Sequence, residues 1–393
     1  MSKSKFTFLR RALQAELKRL TNFYNVIVLT GPRQSGKTTL CKKQFAKYHY
    51  VNLEDISLRE QIQTAPMAFL NQYAGGLIID EAQHLAELFS YIQVVVDENS
   101  EAKIVLTGSS NFSLMQNITQ SLAGRAAVLT LLPLSLKEIG SGIKFRDTNT
   151  LLFNGGYPAV WTKGIPVQDL TRNYYNTYIE RDVRKLLNVK DITKFQTFIK
   201  LCAGRIGTIF NASTLSNEVG VSVPTIQEWF SVLEASYILF RLPPFYRNIG
   251  KRLVKSPKIF FYDTALVCFL LGIEEEQQLA THPLRGSVFE NMVVLEFLKN
   301  RYNKGKLPNL YFYRDKSQHE VDLIEEKGTK LFAFEIKSAK AFNKSFKAGL
   351  DYLRKTVGDD VISTQIIYDG ENDIFSKENG MVNFRNIKFN ELS

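Results

Sequence analysis

The chain has little soft-metal or redox chemistry. Its 393 residues include only 3 cysteines and 4 histidines. Cys41, Cys202 and Cys268 are far apart, and no two have the spacing of a metal-binding or redox pair. This argues against a disulfide framework and a Cys/His zinc module, and fits a reducing, cytoplasmic setting. Long apolar runs are also missing. No stretch reaches the roughly 18 apolar residues of a membrane span, so no membrane partner is expected. The N-terminal region lacks an apolar block of signal-peptide length. Instead it sets Arg10, Arg11, Lys18 and Arg19 among leucines at helical spacing, which reads as an amphipathic helix docked ahead of the first domain. There is no internal repeat and no long low-complexity linker.

Positive charge is plentiful. Lys and Arg number 50 against 39 Asp and Glu, a net charge of +11. That balance favours a polyanionic partner, nucleic acid first. The length predicts two or three domains, and the 45% apolar content is enough to give them cores.

The most specific motif is Gly31-Pro32-Arg33-Gln34-Ser35-Gly36-Lys37-Thr38, followed by Thr39. It has the glycine spacing and Lys-Thr ending of a phosphate-binding loop. The apolar run Val26–Leu29 precedes it as a buried strand, and a helix pattern follows. Glycines let the backbone turn its N–H groups inward, and the following helix adds its positive end. Lys37 would reach the β- and γ-phosphates of ATP, and Thr38 would hold Mg²⁺ through its hydroxyl. A glycine-rich turn that binds nothing is the competing reading.

A second strand, Gly76–Ile79, ends in Asp80 and Glu81. Asp80 is placed to hold the Mg²⁺ shell, and Glu81 to polarise the attacking water as general base. Glu81 beside Asp80 favours water over a larger acceptor, which argues against a kinase-like phosphotransferase. A third strand, Lys103–Thr107, leads into Gly108-Ser109-Ser110-Asn111. Ser109 is a candidate γ-phosphate sensor, with an ordinary turn as the alternative. Arg125 is a candidate arginine finger, acting in its own subunit or across an interface, or else a solvated surface charge. Leu131–Ser135 reads as the last strand of this sheet, broken by Pro133.

The middle of the chain is richer in helical pattern. Tyr174–Arg184 mixes aromatic and charged positions suited to a domain interface. A helix capped by Ser213, a turn at Gly220 and a second helix from Ser222 with Pro224 in its first turn make a helix-turn-helix candidate. Arg247, Lys251, Arg252, Lys255 and Lys258 then resemble the wing of a winged helix and could lie along phosphates. The second helix offers Ser222, Thr225 and Gln227 but also Glu228, so DNA contact and packing both remain open.

The last third carries a different set. Asn309–Arg314, Glu320–Ile324 and Leu331–Lys337 read as strands, and Glu290 sits on a helix from about Arg285 to Asn300. Strand alternation puts Glu320 and Asp322 on one face, and Glu335 and Lys337 on one face. Asp322, Glu335 and Glu290 form a candidate hard-cation site, with Lys337 orienting water or countering developing charge. The pattern is short and degenerate, and chance remains an alternative.

Together these motifs resemble a prokaryotic family of AAA-type P-loop ATPases. In that family a winged helix joins the ATPase to a C-terminal domain of unknown function with a PD-(D/E)XK nuclease-like fold. Besides the segments above, the resemblance rests on Ser121–Arg125, Gly155-Gly156-Tyr157-Pro158, Tyr178–Val183, Lys258–Thr264, Phe289-Glu290-Asn291 and Tyr313-Arg314-Asp315. The usual Pro-Asp of the nuclease fold is Val321-Asp322 here. The resemblance implies an α/β fold: an AAA-type parallel sheet over 1–160, a helical and winged-helix domain over 161–275, and an α/β nuclease-like domain over 276–393. It also implies an ATP- and Mg²⁺-dependent ATPase with Arg125 in the finger position. Such a protein would bind ATP and ADP, act on DNA, and form oligomers in some settings. The alternative is a nucleotide switch that binds a protein partner, with an inert nuclease-like domain.

Overall fold

The computed structural model describes residues 8–108, 118, 120–143, 147–183, 191–246, 256–374 and 380–389. Its first unit is a five-stranded parallel sheet of β1 (Val26–Thr30), β2 (His49–Asn52), β3 (Leu77–Asp80), β4 (Ile104–Thr107) and β5 (Ala126–Thr130), in the order β2-β3-β4-β1-β5. The central strands β1, β3 and β4 are buried along their whole length. Parallel strands with both faces covered need such unbroken apolar runs. Val26 and Val28 face one core with Ile79 and Leu106, while Ile27 and Leu29 face a second core with Ile78 and Val105. The Gln14–Leu20 helix supplies Leu17 to the second core, alongside Leu13 just before it.

Residues 131–135 are not the last strand. That strand is β5, and it ends at Thr130. The segment after it runs as a connection, because Ser135 caps the Leu136–Gly140 helix. Glu138 N–H donates to Ser135 Oγ at 3.3 Å, and Ser135 N–H donates back to Glu138 Oε2 at 2.8 Å.

The middle region is helical up to a short antiparallel pair, β6 (Leu239–Leu242) and β7 (Lys258–Phe261). The Ala212–Val219 helix is capped by Asn211 rather than Ser213, because the Asn211 carboxamide lies two residues earlier, just ahead of the helix, and accepts from Thr214 N–H at 3.0 Å. Gly220 turns the chain at φ 71°, and Ser222 caps the Val223–Ala235 helix.

The third unit has the order β12-β11-β10-β9-β8. Its strands are β8 (Leu310–Arg314), β9 (Glu320–Lys327), β10 (Lys330–Lys337), β11 (Val361–Tyr368) and β12 (Met381–Asn383). β8 to β10 run antiparallel in turn, while β11 and β12 join in parallel. The Arg285–Asn303 helix lies between this sheet and the middle region. One hydrophobic cluster runs from Leu151 through Phe230, Phe261 and Phe289 to Phe384. The middle and C-terminal units therefore share one core, and the other face of the C-terminal sheet has a second, around Val321, Ile324 and Leu353.

Candidate functional site

The phosphate loop leaves β1 at its carboxyl end. A Cβ on Gly31 would meet the Leu131 carbonyl at 2.2 Å, so only glycine passes here, at φ 135°. Gly36, at φ 96°, precedes the Lys37–Gln44 helix and offers no side chain to cap it. The helix's first N–H groups thus face the loop, the arrangement that receives an anion. The buried Ser35 hydroxyl has no hydrogen-bond partner. Lys37 Nζ donates to the carbonyls of Gly31 and Pro32, both at 2.9 Å. Burial pushes its ammonium down to about 8, against the pull of Glu81 and Asp80.

Asp80 closes β3 and gathers three hydroxyls. Thr38 Oγ1 and Tyr50 OH donate to its Oδ2 at 2.7 and 2.9 Å, and Thr107 Oγ1 donates to Oδ1. Loop and strand end are thus joined directly. Glu81 takes a left-handed backbone at φ 51°, uncommon for a non-glycine residue, and accepts from Gln83 Nε2 at 2.5 Å. These features fit ATP with Mg²⁺: uncapped helix N–H groups behind a glycine turn, an orphaned hydroxyl, a lysine held on loop carbonyls, and a carboxylate beside the Thr38 hydroxyl. Thr39 follows on the helix, and Gln34 adopts φ 62° within the loop.

Three residues brace the loop and its strand from behind. Arg11 donates to the Ser35 carbonyl at 2.7 Å and the Leu132 carbonyl at 2.5 Å, and pairs with Glu138 at 3.1 Å. The Arg33 guanidinium lies 4.9 Å from the centre of the Tyr178 ring, so Tyr178 meets the first unit. Tyr237, at φ 56°, donates to Thr30 Oγ1 at 2.9 Å. Composition gave no signal for Arg11, Tyr50 or Tyr237, whose partners are distant in the chain.

Arg125 stands elsewhere. It precedes β5, which runs parallel to β1 with Ala126 opposite Val26 and Thr130 opposite Thr30. That places it at the amino end of the sheet, a strand's length or roughly 17 Å from the loop end. There it forms a bidentate pair with Asp97, at 2.6 and 2.7 Å. Arg125 thus stands at the opposite end of its strand from the phosphate loop of its own chain. Ser109 lies outside the described residues, as do Arg247, Lys251, Arg252 and Lys255.

Lys258 overturns its expected place on a phosphate-facing wing. It is 2% exposed, on β7, and its Nζ lies 3.1 Å from Glu290 Oε1, 2.7 Å from Glu320 Oε1 and 3.9 Å from Asp322 Oδ1. Burial works against its charge, but Glu290, Asp322 and Glu320 together hold the ammonium above its ordinary value. Asn291 fixes this junction by exchanging hydrogen bonds with the Phe261 backbone at 2.7 and 2.9 Å. Phe289-Glu290-Asn291 is thus a core residue, a lysine partner and a strand clamp.

The four C-terminal residues do come together. Lys337 Nζ lies 2.6 Å from Glu335 and 3.5 Å from Asp322, and Asp322 Oδ2 accepts from Ile336 N–H at 2.8 Å. Burial, reinforced by the charge of Asp322, pushes Glu290 and Glu335 upward. Among the described residues, no three His, Cys, Asp or Glu side chains form a metal-holding group. Lys258 and Lys337 occupy the cluster, which as it stands does not fit a metal ion.

No helix among the described residues is long and apolar enough to cross a membrane. Family models match three consecutive stretches: an AAA domain over residues 24–140, a domain of unknown function (DUF8612) over 145–277 and a domain of unknown function (DUF4143) over 285–387. The Mycobacterium tuberculosis protein described as "Uncharacterized protein Rv2008c" is 30% identical over 370 residues, covering 92% of this chain and 80% of that protein. The Methanocaldococcus jannaschii protein MJ1544, also described as uncharacterized, is 24% identical over 346 residues, covering 79% of this chain and 73% of that protein. Among solved structures, the Walker-type ATPase PABY2304 of Pyrococcus abyssi superposes with a TM-score of 0.47 at 14% identity, covering 67% of this chain and 96% of that one. The AAA match falls on the sheet that carries the phosphate loop, and the mycobacterial likeness runs through all three units. The chain belongs to the same family as Rv2008c, with an AAA-type P-loop ATPase domain ahead of the DUF8612 and DUF4143 domains.

Proposed function

We propose that the chain binds and hydrolyses ATP with Mg²⁺ and acts on DNA through its middle and C-terminal units. The hydrogen bond from Thr38 to Asp80 carries the ATPase reading, because it joins the loop to the acidic strand end. Magnesium, when bound, would neutralise charge on the phosphates. Gly31 to Thr39 would hold the phosphates, Lys37 would supply positive charge, and Thr38 and Asp80 would hold the metal. Glu81, turned out of the strand end, would take the proton of the attacking water. Arg125 would act only on the site of a neighbouring subunit, which makes oligomerisation part of this reading.

The paired helices around Gly220, followed by β6 and β7, support a winged-helix reading of the middle unit. Net charge of +11 favours DNA as its partner. One observation favours the second reading, a nucleotide switch that binds a protein: Glu228 is exposed on the second helix while Lys258 is withdrawn from the surface.

Mg²⁺-dependent ATP hydrolysis, measured with and without duplex and single-stranded DNA, tests both. Turnover that DNA stimulates and Lys37→Ala abolishes is the expected result. Turnover surviving in Lys37→Ala removes the phosphate-loop assignment. Turnover indifferent to DNA, with a nucleotide-dependent pull-down partner, shifts the reading to the protein switch.

A further inference from the structure

We propose that Tyr237 is a positioning residue of the phosphate loop: its hydroxyl fixes the strand end from which the loop departs, so the middle unit takes part in holding nucleotide. The reason is a large side chain where the backbone favours none. The two helices of the middle pair end in the same way. Val221 N–H returns to the Ser216 carbonyl at 3.1 Å around Gly220, which has φ 71°. Ile238 N–H returns to the Leu233 carbonyl at 2.9 Å around Tyr237, which has φ 56°. Glycine takes this left-handed position freely, and a bulky aromatic residue rarely takes it at all. Backbone strain of this kind persists where the side chain has a task.

Tyr237 is buried, with its ring edge-on to Tyr262 at 5.4 Å. Its hydroxyl donates to Thr30 Oγ1 at 2.9 Å. The Thr30 hydroxyl in turn meets β5, where the Leu129 carbonyl and Thr130 Oγ1 both lie at 3.2 Å. Burial holds the Tyr237 phenol above its ordinary value, so it remains a donor. Thr30 is the last residue of β1, and Gly31 starts the loop directly after it. The Gly31 carbonyl is one of the two that hold Lys37 Nζ, so the place of Thr30 bears on the place of the phosphate-binding lysine. The same helix end reaches the loop a second time. Tyr178 donates to the Ser236 carbonyl at 3.3 Å, and its ring lies against the Arg33 guanidinium. The middle unit thus holds the loop on both sides of Gly31, at Thr30 and at Arg33. The proposal rests on the reading of Gly31 to Thr39 as an ATP site, and its test separates the two.

That test is titration of the full chain with a fluorescent ATP analogue and Mg²⁺, with unfolding followed on the same samples. A wild-type chain that binds no nucleotide overturns the ATP reading and the proposal together. Where the wild type binds, Tyr237→Phe, which removes only the hydroxyl, should weaken binding by about threefold to tenfold. The KM for ATP should rise by a similar factor and kcat should fall by less, because the loop grips phosphate in the ground state and the transition state alike. Thr30→Val removes the other partner and should weaken binding to a similar extent. Combining the two should cost no more than the larger single loss. Wild-type affinity in folded Tyr237→Phe overturns the proposal and leaves the ATP reading standing, because the bond would then serve stability alone. Losses that multiply in the double variant overturn it as well. Should Tyr237→Phe fail to fold, Thr30→Val decides, and unchanged affinity there overturns the proposal.

Discussion

Lys37 keeps its ammonium on two loop carbonyls and out of water, and that environment has a pH signature. A lysine lowered to about 8 loses its proton as pH rises through that value. Phosphate binds the charged form, so affinity should be full near pH 7 and fall by about tenfold per unit above 8. Fluorescent ATP-analogue titrations at pH 7 and pH 9 check this, and a flat profile would contradict it. Glu81 gives a second expectation. Glu81→Gln should keep nucleotide affinity and lose turnover by roughly 100-fold or more. Unchanged turnover would place the general base elsewhere. The phosphate loop and Asp80-Glu81 were legible in the sequence because each is contiguous, with chemistry fixed by spacing. Lys258 was not. Its charge was visible, but its three acid partners come from two other elements, and one-dimensional reading counts a lysine as solvated.

The element scale explains the Gly155-Gly156 pair. Gly155 adopts φ 60°, and a Cβ there would meet Asp263 Oδ1 at 2.3 Å. The buried Asp263 accepts from Gly156 N–H at 2.7 Å and from Ala265 N–H at 2.9 Å, where it caps the Thr264–Leu270 helix. Gly155→Ala should therefore destabilise the chain by about 2–4 kcal/mol in denaturant unfolding. Gly164 has a similar φ of 65° but nothing within 4 Å, so Gly164→Ala should cost only about 1 kcal/mol. Equal losses would remove Asp263 from the explanation. Legibility of the strands follows the same logic. β1, β3 and β4 are buried on both faces and read as apolar runs. β2 and β5 lie at the sheet edges with mixed burial, and the apolar connection after β5 outshone the strand itself.

At the scale of the whole molecule, the common core of the middle and C-terminal units matters most. Phe289 is fully buried within it, on a helix that faces both. Calorimetry should show the two units melting in one transition. Phe289→Ala should lower that transition's stability by about 3–5 kcal/mol without splitting it. A separate C-terminal transition would contradict the shared core. Both units touch the first one: Tyr178 and Tyr237 of the middle unit reach Arg33 and Thr30, and Glu296 and Lys299 of the Arg285–Asn303 helix bond Leu136 and Leu134 after β5.

The Arg11 brace has a consequence for biogenesis. Arg11 emerges early in synthesis, but its carboxylate partner Glu138 lies 127 residues later. At roughly 5–20 residues per second, the ribosome takes about 6 to 25 s to supply it. Until then the Ser35 carbonyl can be gripped only by an arginine with no buried counter-charge. The nascent loop thus goes without its finished brace until the helix that follows the first sheet has been made.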